Sequence, residues 1–175
     1  FACYSLDGST CSDLNAVAQE VVNELHYITD TSGQWANMRA ANGRSSPWKL
    51  HKVEIGNEDN LGSGPQTYQN RFNVITAAIK KDFGASRFEL ISTSTGISGW
   101  NSTDIHNYEK PAYFRQNWRT FDKTARDGRV YYEDEFAVIN SGLGDPNENN
   151  FSGPNRLKYP TLDAALSEAI FMLGM

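Results

Sequence analysis

The chain has 175 residues, 39% of them hydrophobic and 12% aromatic, enough for one core of ordinary size and too regular a mixture for disorder. Its 16 basic and 21 acidic residues leave a net charge of −5 with no Lys/Arg cluster, which argues against a nucleic-acid partner. No apolar run reaches the roughly 18 residues of a membrane span, and the opening FACYSLDGST lacks the basic start and apolar stretch of a signal peptide, so no membrane partner is expected.

In chain order, Cys3 and Cys11 come first, too few for a disulfide scaffold or a zinc site; a single bridge and two small buried thiols both stay open. Leu14, Val17, Ala18, Val21, Val22, Leu25 and Ile28 then recur at helical spacing and predict a helix from about 12 to 28. Residues 31 to 48, rich in Gly, Ser, Asn and Pro, read as a long loop. Val53 and Ile55 close a short strand, after which the chain turns polar at once with Gly56, Asn57, Glu58, Asp59 and Asn60. The stripe Tyr68, Phe72, Ile75, Ile79 and Phe83 predicts a second helix over about 66 to 83.

Phe88, Leu90 and Ile91 make another short strand, followed by a Ser/Thr/Gly-rich loop through Gly99, and Asp104 to Tyr108 a brief one. Pro111 is placed to start a third helix with Phe114, Trp118, Phe121 and Ala125 on one face. Val130 to Val138 reads as a strand around the acidic cluster Glu133, Asp134 and Glu135. A loop over 140 to 156 leads to a last helix from about Thr161, with Leu162, Ala165, Leu166, Ala169, Ile170 and Leu173 on one face. Two sequons, Asn101-Ser-Thr and Asn150-Phe-Ser, are a weak hint of secretion.

Short strands alternating with amphipathic helices predict an α/β fold with a parallel sheet, which a doubly wound sheet and a (β/α)8 TIM barrel both satisfy. No GxGxxG turn follows a strand, so a dinucleotide fold has no support. The polar residues favour the barrel: Asn57 and Glu58, then Asp104, His106 and Tyr108, then Glu135 lie at strand C-terminal ends, which open onto one face in that fold. A barrel needs about 250 residues, however, and this chain supplies only part of one.

Glycosidic cleavage needs two carboxyl groups, one to protonate the leaving oxygen and one to attack or to activate water. Glu58 and Glu135 are the natural pair, and Asn57 can donate its amide to a sugar hydroxyl. The same residues have blander readings. Gly-Asn is a common turn pair, the alternating Asp104, His106 and Tyr108 would also make a satisfied polar cluster, and three acids in a row often lie on a solvated loop. Apolar neighbours on both sides of Glu133 to Glu135 argue that at least one of them is buried.

These residues fall into a known pattern. "VEIGNED" at 53 to 59 resembles the acid/base strand of the α-L-arabinofuranosidases of glycoside hydrolase family 51, and "EFAV" at 135 to 138 resembles their nucleophile strand. The likeness extends to "LDG" at 6 to 8, to "WANMRAANGRSSPWKL" at 35 to 50, to "YQNRFNVITAAIKKDFG" at 68 to 84 and to "DIHNY" at 104 to 108. "FDKTAR" at 121 to 126 and "LSEAIFMLG" at 166 to 174 complete an ordered series over nearly the whole chain.

The resemblance implies that Glu58 is the general acid/base, Glu135 the nucleophile, Asn57 a ligand of an arabinofuranose hydroxyl, and His106 and Tyr108 lining of the pocket, the tyrosine close to the nucleophile. It implies a partial (β/α)8 barrel, from the end of strand 3 through the helix after strand 7, that acts with retention through a covalent arabinosyl enzyme. Retention requires the two carboxyl groups about 5 to 5.5 Å apart.

Residues 1 to 175 are thus expected to be one partial catalytic barrel domain, completed by the rest of the barrel and inactive or poorly stable alone. Its expected substrate is an arabinose-containing polysaccharide such as arabinoxylan or arabinan, its location extracellular, and no metal or organic cofactor is called for. Phe136 stands where the family commonly has tyrosine, and Glu133, two residues before Glu135, would be the reactive acid if the register differed. Two other readings stay open: another retaining barrel glycosidase of xylanase or endoglucanase type, and a sugar-binding fragment without catalysis.

Overall fold

The computed structural model describes residues 13–61, 64–140, 156–157 and 159–175. Cys3, Cys11, the 6 to 8 motif and the Asn150 sequon lie outside them. The described chain divides into two compact units, one ending at Asp104 and the other running from Ile105 to Met175.

In the first unit, α1 (Leu14–Thr29) begins where the Asp13 carboxylate accepts a 3.0 Å hydrogen bond from the Ala16 N–H, satisfying a donor that the helix leaves open. Its predicted stripe is its buried face, with Ala18, Val21, Val22 and Leu25 at 5% exposure or less. This face packs on α3 (Gly64–Phe83), which buries Tyr68, Phe72, Ile75 and Ile79. Each such side chain contributes about 1.5–3 kcal/mol by leaving water. Between these helices β1 (Lys52–Ile55) pairs in parallel with β2 (Glu89–Ser92), and β2 with the first residues of β3 (Ser102–Glu109). Strand, helix, then parallel strand is the βα unit the sequence predicts.

The stretch 31 to 48, expected as a loop, instead contains the helix α2 (Gln34–Ala41). It has no apolar stripe to announce it. Arg39 organises it from the inside: fully buried, it donates to the carbonyls of Tyr27 and Asp30 at 2.7 Å and of Ser45 at 3.0 Å, so one guanidinium ties the C-terminal end of α1 to the loop after α2.

In the second unit, the later half of β3 lies beside β4 (Val130–Val138), whose bounds are those expected. The third helix is shorter than its stripe suggests. α4 (Pro111–Asn117) has Pro111 at its start, as expected, but ends at Asn117 and gives way to a 3-10 turn at Thr120–Lys123. Trp118 therefore lies beyond the helix and 41% exposed, while Phe114 is wholly buried.

α5 (Leu162–Met172) is capped by Thr161, whose hydroxyl accepts from the Ala164 N–H at 3.1 Å. It buries a different face from the one predicted: Ala164, Ser167 and Phe171 point inward, and Leu162, Leu166, Ile170 and Leu173 are exposed. Phe171 decides this, stacking edge-on against Phe114 at 5.1 Å and near Phe136 and Phe121 at 5.9 and 6.1 Å. Two polar anchors fix the same rotation. Arg115 donates to the Ser167 hydroxyl and to the Asp163 carboxylate, both at 2.7 Å, and Glu168 accepts the Val138 N–H at 2.6 Å.

Candidate active site

In the first unit the β1 strand ends at Ile55, and the next four residues make a turn rather than continuing the ladder. Gly56 has φ 107 and no room for a Cβ, which would collide with the Asp59 carboxylate, so only glycine fits. Glu58 has φ 52 and is the one non-glycine residue with positive φ among the described residues. That left-handed conformation costs a glutamate about 1 kcal/mol or more and persists only where the surroundings hold it.

The surroundings are a buried polar network that the sequence reading did not anticipate. Asp59 has no exposed surface, and its Oδ2 accepts the Asn57 N–H and the Thr93 hydroxyl, both at 3.0 Å. Its Oδ1 accepts from Arg71 Nη1, and Arg71 also donates to the Gly64 carbonyl at 3.1 Å and to Thr67 Oγ1 at 3.3 Å. Tyr68 donates to the Ile55 carbonyl at 2.6 Å and accepts the Thr93 N–H at 2.9 Å, tying the end of β1 to the residue after β2. Burial pushes the Tyr68 phenol above its ordinary pKa, in keeping with its role as a donor. One signal was available in advance: Arg71 lies three residues after Tyr68 and four before Ile75, a charge on the apolar face of its helix. Asn57 is exposed and Glu58 half-buried at the rim of this network.

In the second unit three expected residues come together. Tyr108 donates its hydroxyl to Glu135 Oε2, and His106 Nδ1 lies 3.6 Å from the same oxygen. The two rings of β3 meet edge-on at 6.3 Å. His106 is largely covered, at 12% exposure, whereas the Glu135 side chain is 41% exposed. Glu133, the alternative acid, is engaged elsewhere: its Oε1 accepts from Asn107 Nδ2 at 2.7 Å, and Tyr113 donates to Asn107 Oδ1 at 2.8 Å. Asp104 is buried at the boundary of the units.

A parallel sheet whose strands β1, β3 and β4 each lead on to a helix, with one carboxylate just beyond a strand and another within one, defines the class: the chain has the fold of part of a (β/α)8 barrel. The alpha-L-arabinofuranosidase 1 domain model matches residues 1–126, and the chain belongs to that family. Alpha-L-arabinofuranosidase A of Aspergillus kawachii is 31% identical over an alignment of 169 residues that covers 92% of this chain and 24% of the relative. The probable alpha-L-arabinofuranosidase A of Aspergillus terreus is 29% identical over 170 residues, 93% of this chain and again 24% of the relative. Among solved structures, the arabinose-bound α-L-arabinofuranosidase MgGH51 superposes with a TM-score of 0.84 at 29% identity, over 99% of this chain and 28% of that one. The resemblance to glycoside hydrolase family 51 and the partial barrel expected from the sequence are thus borne out. The chain spans about a quarter of the length of the curated relatives it matches.

Proposed function

We propose that this chain carries the catalytic carboxylates of a retaining α-L-arabinofuranosidase that releases terminal, non-reducing α-L-arabinofuranosyl residues from arabinose-containing polysaccharides outside the cell. Glu135 attacks the anomeric carbon, and Glu58 protonates the departing oxygen. Water, deprotonated by Glu58, then releases arabinose from the covalent intermediate with net retention. Asn57, exposed beside Glu58, binds a sugar hydroxyl, and His106 and Tyr108 line the pocket at Glu135. This domain, residues 1 to 175, acts together with the further barrel strands that its relatives' greater length supplies.

The observation that carries the reading is the hydrogen bond from Tyr108 to Glu135. A donor on a carboxylate oxygen orients the group for attack, whereas Glu133 accepts from Asn107 and is the weaker candidate. The names of the relatives support arabinofuranose as the sugar. The test is proton NMR of the first-formed anomer from an aryl α-L-arabinofuranoside, using the protein expressed from its full coding sequence, with intact-mass detection of an arabinosyl adduct on Glu135. Inverted product, or an adduct on another residue, would overturn it.

A further inference from the structure

The Asp59–Arg71 pair has no task in the chemistry above, yet it is a deeply buried ion pair, with side chains 0% and 4% exposed. Desolvating two ions is costly, and well-packed apolar residues of similar volume are often as stable. Stability alone is therefore a poor reason for the pair. Its geometry supplies another. Asp59 follows Glu58 in sequence and, through Oδ2, grips the N–H of Asn57, which precedes it. The strained residue is thus clamped on both sides by one carboxylate. Thr93, just past β2, holds the same oxygen, and Arg71 anchors the other to the first turns of α3, so the clamp is tied to two separate elements. Gly56 leaves the space in which the carboxylate folds back.

We propose that Asp59 and Arg71 are positioning residues that keep Glu58 in its left-handed backbone conformation and so aim its carboxyl at the leaving-group oxygen. This rests on the reading of Glu58 as the acid/base. Released from the clamp, Glu58 relaxes toward an ordinary negative φ, and its carboxyl moves by more than the roughly 1 Å that can cost about 100-fold in rate. The damage is specific to the proton transfer. A poor leaving group needs that proton, whereas a strongly acidic phenol departs without it.

The test is kcat/KM on a series of aryl α-L-arabinofuranosides of graded leaving-group pKa, with Glu58→Ala, Asp59→Asn, Arg71→Lys and Thr93→Val in the protein expressed from its full coding sequence. Glu58→Ala sets the reference: a loss of about 100-fold or more on the poorest leaving group, shrinking as the leaving group improves, with azide restoring turnover. Asp59→Asn and Arg71→Lys are expected to show the same leaving-group dependence at about tenfold. Thr93→Val removes one hold on Oδ2 but keeps the ion pair, so it gives a smaller loss with the same trend and serves where the charge variants fail to fold.

If Asp59→Asn and Thr93→Val lower all substrates equally, or none, while Glu58→Ala stays leaving-group dependent, the positioning role is overturned and the acid/base assignment stands. If Glu58→Ala itself shows no such dependence, the acid/base assignment falls and the positioning role with it.

Discussion

Glu58 and Glu135 are held by opposite strategies. Glu58 sits on a turn with backbone strain, and its support is a buried ion pair reaching residues far along the chain. Glu135 sits on a regular strand in ordinary extended backbone, held from the side by Tyr108 and His106 of the neighbouring strand. The contrast follows from their proposed tasks. A nucleophile must approach one carbon along one line, and a strand with a lateral hydrogen bond suffices to orient it. A proton donor serves first the leaving oxygen and then a water, and its placement is set by the backbone of the turn.

That contrast can be broken at several points, beginning with the largest effect. Glu135→Gln is expected to lower kcat on any aryl arabinofuranoside by about 10⁴-fold or more, because no leaving group compensates for a missing nucleophile. A substrate-independent loss there, against the leaving-group-dependent loss at Glu58, separates the two roles in one kinetic series. Arg71→Met leaves Asp59 buried and unpaired and is expected to cost about 3–5 kcal/mol of stability, read as a lower urea midpoint. Adding Asp59→Leu to it should recover much of that loss while leaving the turn unclamped, which dissociates stability from placement of Glu58.

Gly56→Ala is expected to destabilise by about 2 kcal/mol or more, since φ 107 and contact with the Asp59 carboxylate both oppose a side chain. Tyr108→Phe sharpens the other half of the comparison. It removes one hydrogen bond at a half-exposed site, so stability should fall by only about 1 kcal/mol while kcat/KM falls with every leaving group alike.

The smallest effect lies away from both acids. His26 in α1 faces Asp30 through Nδ1 at 3.1 Å and Asp82 of α3 through Nε2 at 2.9 Å. Burial pulls its pKa down, but the two carboxylates outweigh this and leave it above the ordinary 6.5. A raised folded pKa means that the contribution to stability is fully present below the unfolded value and is lost as pH rises through the folded one. Melting temperature against pH should therefore show a small decline across that window, absent in His26→Gln. A decline of the same size in the variant would assign it elsewhere.

The repeat of strands and helices was legible because it depends on local periodicity. The stripe of α1 is its buried face, and β4 runs over the residues its apolar flanks delimit. Asn57, Glu58, His106, Tyr108 and Glu135 were legible as polar residue types in or just after predicted strands, and the structure brings Tyr108 and His106 against Glu135. Where periodicity and packing disagree, packing prevails. α5 presents two plausible apolar faces, and the one carrying Phe171 is buried because an aromatic cluster and two polar anchors receive it. α2 has no stripe at all and exists around one buried arginine.

By itself, then, the sequence determined most of the alternation of strand and helix and which acids lie in or just after strands, since both follow from spacing among near neighbours. Only the tertiary structure decided that Glu58 takes a left-handed backbone, that Arg71 meets Asp59, and which side of α5 faces inward. Each of those depends on a partner distant along the chain. A strained dihedral or a buried charge is tolerable only where such a partner offsets its cost.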